Sequence, residues 1–369
     1  MNLSIPKEQL LAGLQSVQNI VSTRTTLPVL SNVLLRAEQD RLVFTATDLD
    51  VTISCGVPAT VRRPGSTTVP VKKLFSIVRE LSVPEIELET DDKHSTTLRS
   101  GSAVFKIRGL GPEEFPTLPT FQNDRKVEIP QSKLRSMLKG TSFATSSDES
   151  RYVLNGILFS LKEQKITLVA TDGRRLAMAE EEADVSDRSQ GEFIVPSKAV
   201  NELTRLLQEN GQVELQVGDN QASFRLSDEK GGGISIITKL IEGNYPNYRQ
   251  VIPGEAKERI ALAREDFLHV LRRAETMTSE KQNSVKLAFT KNNLAISANS
   301  PDIGEAQESM AINYKGRDLS IAFNPGYLLD PLNSLSNDEV FLELIDELSP
   351  GVLKINGPYL YVVMPMRLS

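Results

Sequence analysis

FIVPSKAVNELTRLL, from Phe193 to Leu207, reads as a short apolar run, a Val-Pro step and then a helix with Ala199, Val200, Leu203, Leu206 and Leu207 on one face. The same build occurs in TTVPVKKLFSIVREL from Thr67, where Val69 and Pro70 precede Leu74, Phe75, Ile77 and Val78. A third copy, IAFNPGYLLDPLNSL from Ile321, puts Asn324 and Pro325 ahead of Tyr327, Leu328, Leu329 and Leu332. Pro70, Pro196 and Pro325 lie 126 and 129 positions apart, so a unit of domain size repeats three times.

Two further landmarks keep that register. Strands ending in a polar turn contain Ala46, Ala170 and Ala298, spaced by 124 and 128. Each repeat also opens on an extended run that enters an amphipathic helix, at Leu3, Val127 and Ile260. Inside the repeats a finer period recurs, since Pro6 and Pro70 are 64 apart and Pro130 and Pro196 are 66 apart. Between the helices, SNVLLRAEQDRLVFTATD and VELQVGDNQASFRLSD alternate with period 2 and break at turn residues, as antiparallel hairpins do. Gly231, Gly232 and Gly233 read as a hairpin or bulge, because no Lys-Ser/Thr pair and no helix start follow them. The fold class expected is α+β, in three repeated domains at 1–124, 125–254 and 255–369, with polar boundaries near 122–125 and 253–258.

A chain of 369 residues with 39% hydrophobic content can bury several cores. No apolar run approaches the roughly 20 residues of a membrane helix, and the N-terminus lacks the build of a signal peptide, so a cytoplasmic protein is expected. Cys55 is the only cysteine; it lies in the strand-like run DVTISCGV and reads as a small core residue. Catalysis finds no support: His94 and His269 are the only histidines, no metal-ligating pattern surrounds them, and Cys55 lacks a base. No cofactor and no metal are expected.

A net charge of −6 argues against nucleic-acid binding over the whole surface. The six helices nevertheless carry twelve basic against seven acidic residues, a surplus of about five positive charges, which leaves about −11 for the rest. Three domains with two helices each make a sector. Two such chains meeting head to tail would turn twelve helices inward, and at roughly 9 Å per helix the opening is about 35 Å, wide enough for a duplex.

RTTLPVLSNVLL from Arg24, SRYVLNGILF from Ser150, VATDGRRLAM from Val169, TKLIEGNYPNYRQVIP from Thr238, FNPGYLLDPLNSL from Phe323 and YVVMPMRL from Tyr361 closely resemble the bacterial DNA polymerase III beta subunit family, the sliding clamps. The resemblance spans essentially the full chain. It implies a non-catalytic homodimeric ring around double-stranded DNA, with helices inside and sheets outside. Partners would be the replicative polymerase, the clamp loader and other proteins bearing a clamp-binding peptide.

Residue by residue, the resemblance implies a peptide pocket built from Leu154, Thr171, Gly173, Arg174, Arg175 and Leu176, with Pro246 and Val251 from the linker. Asn324, Tyr327, Val363, Met364, Pro365, Met366 and Arg367 complete it. Apolar and methionine side chains there accept varied anchors, and an arginine can fix a carbonyl or carboxylate. For DNA the same resemblance points to Arg24, Lys72, Lys73, Arg79, Arg151, Tyr152 and Lys198, and for the dimer seam to Phe105, Ile107, Thr276 and Met277. Departures from the family pattern at Arg174, Gln250 and Gln282 point to a peptide preference of this chain's own. The competing reading is a repeat scaffold that binds peptides and never closes.

Overall fold

Each helix starts where a strand runs almost directly into it. In the computed structural model, which describes residues 1–21, 27–118, 121, 126–227, 233–280 and 282–367, Asn2–Pro6 leads into α1 (Lys7–Val17) and Gly65–Pro70 into α2 (Val71–Glu80). Lys126–Pro130 leads into α3 (Gln131–Thr141) and Gly191–Pro196 into α4 (Ser197–Leu206). Glu258–Ala263 leads into α5 (Arg264–Glu275), and Leu319–Phe323 reaches α6 (Pro325–Ser334) through Asn324. Proline has no N–H for the sheet ladder and a φ already suited to a helix, so it ends one element and starts the next.

The third junction differs in chemistry. Asn324 accepts a hydrogen bond from the Gly326 amide at 2.9 Å, and Pro325 is the first helical residue. The capping positions are therefore 70, 196 and 324, spaced by 126 and 128, which corrects by one the 129 read from the prolines. The corrected offset equals that between Ala170 and Ala298.

The predicted faces of α4 and α6 are buried, apart from half-buried Tyr327. On α2, Leu74 and Val78 are buried while Phe75 and Ile77 are half-exposed. Gly13 lets α1 approach the sheet, since a Cβ there would lie 2.4 Å from the Phe44 ring. Cys55 is buried beside it, 3.5 Å from the Gly13 carbonyl, and burial pushes its thiol up to about 12. It is the core residue expected.

The first residue of each repeat's opening helix holds the chain that leaves the second. The Lys7, Gln131 and Arg264 amides donate to the Pro84, Gly211 and Asp338 carbonyls at 2.7, 3.0 and 2.8 Å. Their side chains add to this: Lys7 Nζ donates to the Arg79 and Leu81 carbonyls, and Gln131 accepts from the Gln208 amide. Arg264 donates to the Asn337 carbonyl at 2.7 Å and the Leu332 carbonyl at 2.9 Å. Orphan carbonyls in the last turns of α2 and α6, those of Arg79 and Leu332, are thereby satisfied, whereas past α4 the bond satisfies an amide.

Contacts divide the chain into two compact units that do not follow the three repeats. The first holds 1–135, 186–189 and 201–240; the second holds 136–185, 190–200 and 241–369. Sheet pairing explains the division. In the first unit, Gly233–Lys239 of the central repeat pairs with Val51–Pro58 of the first, giving one antiparallel eight-stranded sheet. A five-stranded sheet beside it ends at Ala103–Arg108. In the second unit, Arg175–Glu182 pairs with Tyr359–Val363 to make another eight-stranded sheet, and a four-stranded sheet ends at Gly304–Ala311. The boundary segment 122–125, and Gly231 and Gly232, lie outside the described residues. Among the described residues no helix is long and apolar enough to cross a membrane, and no group of three metal-ligating side chains occurs.

Candidate functional site

The turn Thr171–Arg175 is the fixed point of the second unit's surface. Asp172 accepts from the Arg174 and Arg175 amides at 2.8 and 3.1 Å. Thr171 Oγ1 donates to the Arg175 carbonyl at 2.6 Å and accepts from the Gly173 amide at 3.1 Å. Gly173 sits at φ +85°, the left-handed conformation that glycine adopts without strain.

Arg175 locks this turn to its surroundings. Its guanidinium donates to Asp172 at 3.1 Å, to Asp330 on α6 and to the Phe143 carbonyl at 2.6 Å, and it stacks 4.5 Å from the Tyr327 ring centroid. Burial opposes its charge, but the Asp330 carboxylate and Tyr361 outweigh that and hold its pKa above the ordinary arginine value. Tyr361 in turn donates to the Tyr327 carbonyl at 2.7 Å. Three of the five N–H donors of Arg175 are thus engaged within the fold, and only 11% of its side chain is exposed. Asp172, Asp330, Phe143 and Tyr361 were missed as its partners.

The chain end closes the site. The strand stops at Val363, then the Met364 amide donates to the Arg174 carbonyl at 3.0 Å and the Met366 amide to the Ala322 carbonyl at 2.7 Å. Leu154, Leu176 and Val363 are buried, while Thr171, Asn324, Tyr327 and Pro365 are half-buried. Gly173, Arg174, Pro246 and Arg367 are exposed, and so are the apolar side chains Val251 (49%), Met364 (44%) and Met366 (39%). Tyr248, from the linker, is buried in a cluster with Leu158, Val169, Leu176, Ile194, Val352 and Val362, which seats that linker. A final core strand and an exposed methionine pair thus both occur in the C-terminal run.

Lys7, Arg135, Arg205, Arg264, Arg272 and Arg273 are bonded within the fold, Arg205 to the Gln15 and Ser16 carbonyls at 3.1 and 2.8 Å and Arg273 to Glu308 at 2.8 and 2.9 Å. The surplus of helix charge therefore overstates what faces a ligand. Lys72, Lys73, Arg79 and Lys198 are exposed, with Arg79 3.0 Å from exposed Glu80. Arg24 lies outside the described residues.

Arg151 and Tyr152 are exposed in the 3-10 segment Glu149–Leu154. Arg151 donates to Asp148 at 3.0 Å and to the Asp172 carbonyl of the Thr171–Arg175 turn at 2.9 Å. Hydrogen bonds from Ser150 and then Arg151 keep the Asp148 carboxyl below its usual range. Lys198 begins α4 next to Ser197, whose amide and hydroxyl donate to the Asn155 carbonyl at 3.0 and 2.6 Å.

At the sheet ends, Phe105 (37% exposed) and half-buried Ile107 share one face of the edge strand Ala103–Arg108. Thr276 and Met277 close α5, with their amides on the Arg273 and Ala274 carbonyls at 3.3 and 3.1 Å. The Arg273–Glu308 pair ties that helix end to the other edge strand, Gly304–Ala311.

Repeated domains of paired helices and antiparallel sheets, with a turn-bound apolar surface, define a clamp-type binding protein. Profiles of the DNA polymerase III beta subunit match its N-terminal domain to residues 1–119, its central domain to 128–247 and its C-terminal domain to 249–367. The beta sliding clamp of Chlamydia muridarum is 36% identical over 368 residues, covering 100% of this chain and 99% of the relative. That of Proteus mirabilis is 35% identical with full coverage of both. A solved sliding clamp from Pseudomonas aeruginosa, bound to griselimycin, superposes with a TM-score of 0.93 at 34% identity and covers both chains fully. The chain belongs to the DNA polymerase III beta subunit family, the bacterial sliding clamps, and is a non-catalytic processivity factor of DNA replication.

Proposed function

We propose that this clamp acts in the cytoplasm as a head-to-tail homodimeric ring around duplex DNA. Its three domains, 1–124, 125–254 and 255–369, present Lys72, Lys73, Arg79 and Lys198, with Arg24, Arg151 and Tyr152, toward phosphates. Contacts of this kind position the protein and carry no sequence information. Phe105 and Ile107 of one protomer would meet Thr276 and Met277 of its partner, joining two otherwise unpaired sheet edges.

Polymerase, clamp loader and other proteins would dock an extended peptide at the exposed Val251, Met364 and Met366. The observation that carries this reading is apolar exposure arranged around an internally locked turn. Flexible methionines suit several anchors, and the rigid base limits what ordering costs on binding. Arg174 and Arg367 supply exposed charge at the rim.

Met364→Ala with Met366→Ala should weaken clamp-binding peptides at least tenfold in fluorescence anisotropy and leave the dimer mass unchanged. Unaltered affinity would remove the pocket assignment. Encirclement is tested separately: loaded protein should stay on a nicked circle through high salt and leave once the circle is cut. Equal loss from both substrates would favour an open scaffold held by charge alone.

A further inference from the structure

The first unit contains a second turn with the hydrogen bonding of Thr171–Arg175. Asp48 accepts from the Asp50 and Val51 amides at 3.0 and 2.7 Å. Thr47 Oγ1 donates to the Val51 carbonyl at 3.2 Å and accepts from the Leu49 amide at 3.1 Å. The neighbouring strand repeats the likeness, because the Lys239 amide donates to the Asp50 carbonyl at 2.9 Å as that of Met364 does to Arg174. The linker repeats it too: Phe115-Pro116 there corresponds to Tyr245-Pro246.

The differences are chemical. Leu49 occupies the left-handed position held by Gly173, at φ +79°. The other non-glycine residues with positive φ among those described are Gln39, His94, Glu163, Gln164 and Asn292, all polar. A leucine kept in this conformation is strained, and here it is also 46% exposed. It lines a cleft of about 120 Å³ with Pro116, Leu118, Ile237, Asp50 and Lys239. At the position of Arg174 stands Asp50, paired with Lys239 at 3.0 Å through side chains that are 68% and 53% exposed.

We propose that this cleft is a second docking site, which takes an extended peptide bearing an apolar side chain beside an arginine. It rests on the peptide reading of the first pocket, and its selectivity has the opposite sign. Leu49, Pro116, Leu118 and Ile237 receive the apolar group. An exposed ion pair is held weakly, so Asp50 exchanges Lys239 for an incoming guanidinium, which can bond a carboxylate with two donors. One protomer thereby sorts two peptide classes by charge.

The test uses the full chain carrying Met364→Ala and Met366→Ala, with fluorescein-labelled Gly-Ser-Leu-Arg-Leu-Ser as probe. Saturable binding is expected, at least tenfold weaker with Leu49→Asn, which tolerates the turn conformation and should melt no lower than its parent. Asp50→Asn should weaken the probe comparably, Lys239→Gln should tighten it, and the peptide with Glu for Arg should bind at least tenfold less well. No saturation, indifference to Leu49→Asn, or weakening by Lys239→Gln would overturn the proposal. Because the probe is read without the two methionines, its failure is separate from failure of the first pocket.

Discussion

Arg175 is where one side chain determines whether a surface exists. It connects the turn to α6 through Asp330 and to the Phe143 carbonyl, and its plane lies over Tyr327. Lysine keeps the charge but has neither the planar fork nor the stacking face, so Arg175→Lys should lower unfolding stability by about 1–3 kcal/mol in urea titration. Exposure of Asp330 (42%) keeps the figure below that of a fully buried pair. Peptide affinity should fall with it; unchanged stability and affinity would show that the turn holds itself. The Asp-Gly step made this turn legible in the sequence. The arginine's role was not, because Phe143 and Asp330 lie 32 and 155 positions away and no local pattern records them.

Helices and hairpins were legible because their signals are local. Proline at a strand end, an apolar stripe and a Gly, Asp or Asn turn each act within a few residues, and α1 to α6 start where those signals lie. The capping side chains show where such reading stops: Lys7 and Arg264 counted as helix charge, yet each satisfies carbonyls at the end of a different helix. Arg264 donates to two carbonyls with only 13% of its side chain exposed. Arg264→Ala should therefore cost about 1–2 kcal/mol in thermal unfolding, and Lys7→Ala, on a more exposed ammonium, less than about 1 kcal/mol. The reverse order would mean that the α2 end depends on Lys7 more than its exposure allows. Pairing between repeats was also invisible, since nothing local makes Gly233–Lys239 choose Val51–Pro58.

At the scale of the whole molecule, four open sheets leave several edge strands, and two of these carry the proposed seam. Ala103–Arg108 ends one sheet and Gly304–Ala311 another, and exposed edges recruit partners unless something covers them. Joined head to tail, two chains would cover both kinds of edge at once and close the proposed ring. Phe105→Glu sets a charge on the seam face of the first edge, where it would have to be desolvated beside the partner. In solution scattering or equilibrium centrifugation the parent should have twice the 40.7 kDa of one chain, and the variant should fall toward a single chain. Retention on a nicked circle should be lost with it, while peptide binding at Met364 and Met366, which needs one protomer, should persist. Lys72→Glu, Lys73→Glu and Lys198→Glu together supply the contrast: the mass should stay that of a dimer while loading falls and grows more sensitive to salt. A Phe105→Glu protein that remains dimeric and stays on circles would place the seam elsewhere. A charge-reversed protein that loads normally at low salt would turn those lysines away from the DNA.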